Sequence, residues 1–271
     1  MTTGSRVLIV DDDRDTRDMY AWSLEARGFD VVCAGSAGEG FALAQDHVPD
    51  ALVTDFTLPG EDGLALASRV RASAALGEVP LLLVSGRAFI GETGDRAMRL
   101  FDRILLKPVL PDDLIGEIVP LMLERRTSML RRQLRDVRAR VDGIPTGSAA
   151  GRVMSAVVDV VGASAPAALL ADSAAHYIGV NDAACVLTGR SREELLSLRV
   201  WDLTPEISVP QGKAQWAQFV SAGSLSGAYR LNGPSGTAVD TCFAAFAHVL
   251  PDCHLSLLTR LPAGFIETAI R

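Results

Sequence analysis

Five side chains suited to phosphate and divalent-cation chemistry follow apolar runs: Asp11 and Asp12 after 6–10, Asp55 after 50–54, Ser85 after 79–84 and Lys107 after 103–106. Carboxylates held close together repel unless a cation joins them. An all-oxygen set with few protein ligands suits Mg²⁺, which keeps several waters and also takes phosphate oxygens. A lysine beside the carboxylates would act as a point charge for a phosphate. The Ser85 hydroxyl could donate to a phosphoryl oxygen. Together these residues can make an aspartyl-phosphate site, with Asp55 as the nucleophile and Mg²⁺ neutralising the transferred charge.

Such a site exists only if the chain brings the five residues to one place. Asp55 sits where a strand gives way to a turn. Pro59 and Gly60 make that turn, and Asp62 is placed to cap the next helix. Strands are expected at 6–10, 30–34, 50–54, 79–84 and 103–106, and helices at 15–27, 36–46, 62–73 and 89–100, with a last one starting near Pro111. In the first helix Met19, Trp22 (or Tyr20) and Leu24 form the apolar stripe, and Gly28 ends it. Ser36 and Glu39 read as a capping box. Strand and helix alternate five times, which predicts a doubly wound, five-stranded parallel sheet with helices on both faces. In such a sheet ligands bind outside the carboxyl ends of the strands, where all five residues would lie.

Val10-Asp11-Asp12, Asp55-x-x-x-Pro59-x-x-Asp62-Gly63, Ser85-Gly86 and Lys107-Pro108 resemble the receiver domain of two-component response regulators, over about residues 5–124. The resemblance implies a flavodoxin-like fold and phosphorylation of Asp55 by a histidine kinase or phosphotransfer protein. It assigns Asp11 and Asp12 to Mg²⁺ with Asp55, Ser85 to the switch hydroxyl and Lys107 to the phosphate. The backbone carbonyl of Thr57 would complete the metal shell. The chain departs from the family three residues before the lysine. Ile104 stands where Tyr or Phe is usual, which puts the aromatic part of the switch in question.

Residues 125–148 read as a helical connector. Pro120 lacks an N–H and would clash with the carbonyl of Gly116, so a kink or restart is expected there. Beyond it Leu130, Leu134, Val137, Val141 and Ile144 recur at spacings of four and three, a seam of about two heptads. An exposed seam of this kind would support a homodimer. The alternative is that it packs on the chain's own second domain. Arg125, Arg126, Arg131, Arg132, Arg135, Arg138 and Arg140 lie between the seam positions, with no aromatic residues interleaved. That pattern fits a solvated helix face rather than a nucleic-acid surface. Breakers at 142–148, including Pro145 and Thr146, mark a boundary.

From 150 to 262 the pattern changes. A helix at 152–161 leads to strands at 167–171 and 176–180 and a helix from Asn181 to about Leu187, stopped by Gly189. Ser191 starts another short helix, 201–205 is a helical turn, and 214–222 is a longer helix. Strands follow at 227–231, 238–247 and 254–260, the first two joined by a hairpin at 232–236. This is an α+β pattern with an antiparallel sheet. The order, with the run Val180-Asn181-Asp182-Ala183-Ala184-x-x-Leu187-x-Gly189-x-Ser191-x-Glu193-Glu194-Leu195, resembles a PAS domain. That resemblance implies either a ligand in the cleft between sheet and helices, or dimerisation. Cys185 lacks the surrounding motif of flavin-photoadduct domains, and 201–219 holds no histidine for a haem, so the ligand stays unassigned.

The 271 residues suffice for two domains. A net charge of -7 argues against broad nucleic-acid binding. Cys33, Cys185, Cys242 and Cys253 form no Cys-x-x-Cys pair, each falls in an apolar run, and they read as buried reduced thiols. No secretory leader or membrane-spanning run is evident, so a cytoplasmic location is expected. The reading is a non-enzymatic response regulator with a PAS-like output acting through protein contacts and no direct DNA binding. A PAS-based small-molecule or redox sensor that tunes phosphorylation is the alternative. A histidine kinase fragment would rest on His47 beside Asp46, and no glycine-rich ATP loop accompanies it.

Overall fold

The structure is a computed structural model that describes residues 5–88, 91–144, 147–161, 166–204, 208–233, 236–262 and 264–266. The expectations at Phe89, Pro145, Thr146, Pro205, Pro234 and Ser235 lie outside the described residues. The chain divides into two compact units, Met1–Arg125 with Pro262–Arg271, and Arg126–Leu261.

In the first unit five parallel strands, β1 (Arg6–Val10), β2 (Asp30–Ala34), β3 (Ala51–Asp55), β4 (Leu81–Ser85) and β5 (Arg103–Leu106), form one sheet in the order β2-β1-β3-β4-β5. The inner strands β1, β3 and β4 are near-continuous apolar runs because helices cover both faces. Four helices connect the strands: α1 (Arg14–Glu25), α2 (Ala37–Asp46), α3 (Gly63–Ala72) and α4 (Gly91–Leu100). Asp62 caps α3 by accepting from the Ala65 N–H at 2.8 Å. Ser36 caps α2, but Glu39 reaches back to the Gly35 N–H at 2.8 Å, one residue before the position a capping box would use. In α1 the buried arc is Tyr20, Ser23 and Leu24. Trp22, expected in the core, is 75% exposed and points away from that arc. Phe265 returns to this unit and packs against Phe29, ring centroids 6.3 Å apart.

Helix α5 (Pro111–Val141) continues through Pro120 as one helical span, so the chain does not restart there. Its neighbours Ile118, Val119, Leu121 and Met122 are all buried. At about 1.5–3 kcal/mol for each buried apolar side chain, they offset the roughly 3 kcal/mol cost of an interior proline.

The second unit is built on an antiparallel sheet of β6 (Ala167–Ala171), β7 (Tyr177–Val180), β8 (Ser224–Asn232), β9 (Ala238–Leu250) and β10 (Cys253–Arg260), in the order β7-β6-β10-β9-β8. Helices α7 (Asp182–Thr188), α8 (Arg192–Leu196) and α9 (Val209–Ala222), with a 3₁₀ turn at Val200–Leu203, lie between β7 and β8 in the chain. Asn181 caps α7 and Ser191 completes a capping box with Glu194 on α8. The C-terminal part of α5 and α6 (Ala149–Val161) also belong to this unit. Thr127 Oγ1 lies 3.2 Å from Cys242 Sγ on β9, the Arg126 guanidinium donates to the Arg260 carbonyl at 2.9 Å, and that of Arg131 reaches Ser226 on β8.

These contacts correct the expectation of a free seam. Leu130, Leu134, Val137 and Val141 are 3%, 0%, 0% and 0% exposed within a single chain, and Ile144 is half-buried. The apolar face is already buried inside the chain, as packing on the chain's own second domain requires. Arg131, Arg132, Arg135, Arg138 and Arg140 stand on the exposed side. All four cysteines are free thiols; Cys242 and Cys253 are buried as expected, whereas Cys33 and Cys185 are only partly buried. Among the described residues no helix is long and apolar enough to cross a membrane.

Candidate functional site

The carboxyl ends of the parallel strands gather the expected residues. Asp55 closes β3 and is 7% exposed, Asp11 follows β1 at 4%, and Ser85 closes β4 at 1%. Two carboxylates so deeply placed need a compensating charge. Lys107, just after β5, supplies it: its Nζ is 2.7 Å from Asp55 Oδ1 and 3.0 Å from Asp11 Oδ2. The second oxygen of each acid accepts a backbone N–H, Thr57 to Asp55 Oδ2 at 2.6 Å and Asp13 to Asp11 Oδ1 at 2.9 Å. The Lys107–Pro108 peptide is cis. Burial lowers the Lys107 pKa, but its hydrogen bonds to Asp55 and Asp11 and their charges outweigh this and leave it above the ordinary lysine value. The resulting stabilisation is fully present below about pH 10.4 and is lost as pH rises through the higher folded value.

The choice of a lysine is informative. Lys107 and Lys213 are the chain's two lysines among 26 basic residues. A compact ammonium fits between two carboxylates as a point charge, whereas a planar guanidinium would impose fork geometry.

The close turn after Asp55 depends on Gly63. A Cβ there would lie 2.4 Å from the Asp55 carbonyl oxygen, so a side chain would force the start of α3 away from the strand end. The Gly63 N–H donates to the Phe56 carbonyl at 2.9 Å and fixes that approach.

Three expected residues behave differently. Asp12 and Thr57 are exposed. Among the described residues no three His, Cys, Asp or Glu side chains converge so as to hold a metal ion. The Lys107 ammonium joins Asp11 to Asp55, and Asp12 lies exposed next to Asp11 in the chain. Ser85 is at the rim, but its hydroxyl donates to the Arg87 carbonyl at 3.0 Å and accepts the Arg87 N–H at 3.2 Å. Ile104 packs, partly buried, against the core of this unit.

Sequence reasoning missed the residues that support the site. The Arg17 guanidinium donates to the Asp11 carbonyl at 2.5 Å. The Tyr20 hydroxyl donates to the Val109 carbonyl at 3.0 Å and ties the segment after Lys107 to α1. Burial is the main cause that pushes the Tyr20 pKa up. The Arg87 guanidinium lies over the Phe56 ring, 4.3 Å from its centroid. Only the helical spacing of Tyr20 and Leu24 hinted at any of these.

The family model for the response regulator receiver domain matches residues 7–119. Residues 7–119 are a response regulator receiver domain. An uncharacterized 14.6 kDa protein from Leptolyngbya boryana is 37% identical over 110 residues, 40% of this chain and 83% of that protein. The phosphate regulon transcriptional regulatory protein PhoB of Pseudomonas aeruginosa is 29% identical over 127 residues, 46% of this chain and 53% of PhoB. This chain thus spans about half the length of that relative. The crystal structure of a CheY-like receiver domain protein from Methanospirillum hungatei is similar at 28% identity, covering 46% of this chain and 99% of that one, with a TM-score of 0.44.

Proposed function

We propose that the chain is a cytoplasmic response regulator whose Asp55 accepts a phosphoryl group from a histidine kinase or phosphotransfer protein. The reading rests on one observation: the Lys107 ammonium sits between Asp55 and Asp11 at the carboxyl rim of the receiver sheet. In the reaction an Asp55 oxygen bonds to phosphorus as the donor's phosphorus–nitrogen bond breaks, and the departing imidazole takes a proton. Lys107 faces the negative charge on the phosphoryl oxygens. Ser85 joins it by exchanging its bond to the Arg87 carbonyl for one to a phosphoryl oxygen. Acetyl phosphate with Mg²⁺ should add one phosphoryl group to the protein, labile at alkaline pH. A protein that stays unlabelled would overturn the reading.

Asp11, Asp55, the exposed Asp12 and the Thr57 carbonyl offer hard oxygen donors that fit Mg²⁺, which needs only one or two carboxylates and keeps its own waters. Bound there, it would neutralise charge on the phosphoryl group. Asp12→Ala should weaken Mg²⁺ binding at least tenfold by calorimetry. An unchanged affinity would leave Asp12 as solvated acid only.

In this proposal the second unit is a PAS-like output. The order of two strands, short helices and three strands supports it, and signalling then runs through protein contacts without direct DNA binding. A second reading, a small-molecule sensor, is favoured by a cavity of about 280 Å³ between sheet and helices, lined by Trp201, Trp216, Phe219, Tyr229 and Phe243. These rings suit a largely apolar ligand. A small molecule retained in native mass spectrometry would favour the sensor. Capture of a partner protein that depends on a phosphoryl mimic would favour the output reading.

A further inference from the structure

In the second unit one buried imidazole joins three elements. His254, near the start of β10, is 2% exposed. Its ring meets Trp216 edge-on, centroids 5.1 Å apart, and lies 6.1 Å from Phe219, both on α9. The His248 ring on β9 is 4.8 Å away. The His248 backbone N–H points at His254 Nδ1, at 3.3 Å. A backbone N–H can only donate, so Nδ1 carries no proton and the ring is the neutral Nε2–H tautomer. Nε2 lies 3.5 Å from Ser173 Oγ in the β6–β7 turn, and that hydroxyl donates to Asp252 Oδ1 in the β9–β10 turn at 2.9 Å. The Ser173 carbonyl accepts the Trp216 indole N–H at 3.2 Å. His248 and Asp252 both hold left-handed backbone, φ 56° and 57°, so the strand end around the ring is locally strained.

We propose that His254 is an acid-released latch: a proton on its Nδ1 frees Trp216 and α9 from the sheet and widens the apolar cavity, already open to solvent, that Trp216 walls. Protonation turns the Nδ1 acceptor into a donor facing the His248 N–H, so that hydrogen bond is lost and two donors oppose each other. The new charge sits where water hardly reaches. The groups facing the ring are His248 from β9, Asp252 from the β9–β10 turn, Asp172 and Ser173 from the β6–β7 turn, and the uncharged Trp216 and Phe219 from α9. Burial, then His248, hold the imidazole below the ordinary histidine range, against a smaller upward pull from Asp252 and Asp172. Because the folded value is lowered, no penalty exists above the unfolded value of about 6.5. The penalty grows as pH falls below it and is complete below the folded value. Ser173, His248 and Asp252 are exposed at this end of the unit, so a local opening disturbs less than global unfolding does. The latch depends on this geometry and stands whether or not the unit acts as a PAS-like output.

The test follows the Trp216 indole N–H by NMR in the full-length protein from pH 8 to 5, with circular dichroism to show that the fold persists. The resonance should move or broaden with a midpoint below 6.5, and binding of an apolar fluorescent dye should rise through the same midpoint. His254→Gln should leave both flat. His248→Ala should shift the midpoint up and Asp252→Asn should shift it down, which keeps the test decisive if His254→Gln does not fold. An unmoved Trp216 signal, a dye that never binds, the same titration in His254→Gln, or unchanged midpoints in both neighbour variants would overturn the latch.

Discussion

Asp55→Asn abolishes phosphoryl incorporation from acetyl phosphate while the receiver stays folded. The amide has nearly the shape of the carboxylate and still offers an oxygen to the Thr57 N–H, which holds the present side chain at 2.6 Å. It lacks the anionic oxygen that must bond to phosphorus. It also removes one of the two charges that Lys107 bridges, leaving Asp11 paired at 3.0 Å, so the fold loses little. Intact-mass spectrometry should show the added phosphoryl group on the parent protein and none on the variant, with matching circular dichroism. Label persisting above a tenth of the parent level would place the acceptor elsewhere, since the effect rests on removing the nucleophile itself.

Leu134→Glu unfolds the second unit rather than separating two folded copies. Leu134 is 0% exposed within one chain and sits in a row with Leu130, Val137 and Val141. Leu134→Ala alone should cost about 2–5 kcal/mol, the usual range for emptying a packed leucine site. A glutamate there adds a carboxylate with no partner, and its desolvation makes the loss larger. Denaturant titration followed by tryptophan fluorescence should show both losses, in that order. A variant that keeps its stability but changes from dimer to monomer in sedimentation would show that the row is an interface between copies.

The features legible in the chain before it folds are the ones set by near neighbours. Alternating apolar runs and polar breaks specify the strands of the receiver, and β5 and β6 fall where they were expected. Caps at Asp62, Asn181 and Ser191 are legible because a side-chain oxygen meets an N–H only three residues away. The gathering of Asp11, Asp55, Ser85 and Lys107 follows from the same local logic, since parallel strands place all their carboxyl ends on one rim. Which groups satisfy one another across long separations is settled only by packing. Lys107 lies 96 positions from Asp11, and no local rule says that its ammonium bridges Asp11 and Asp55. The periodicity of Leu130 to Val141 states that a face must be buried and is silent on what buries it. Trp22 and Tyr20 are both large and aromatic, and only the packing of α1 chooses Tyr20 for the interior. Pro120 is tolerated because the side chains around it are buried, which an isolated helix cannot arrange. The neutral tautomer of His254 is set by a β9 backbone N–H and by Ser173, 81 positions away, a constraint that exists only once the sheet has formed.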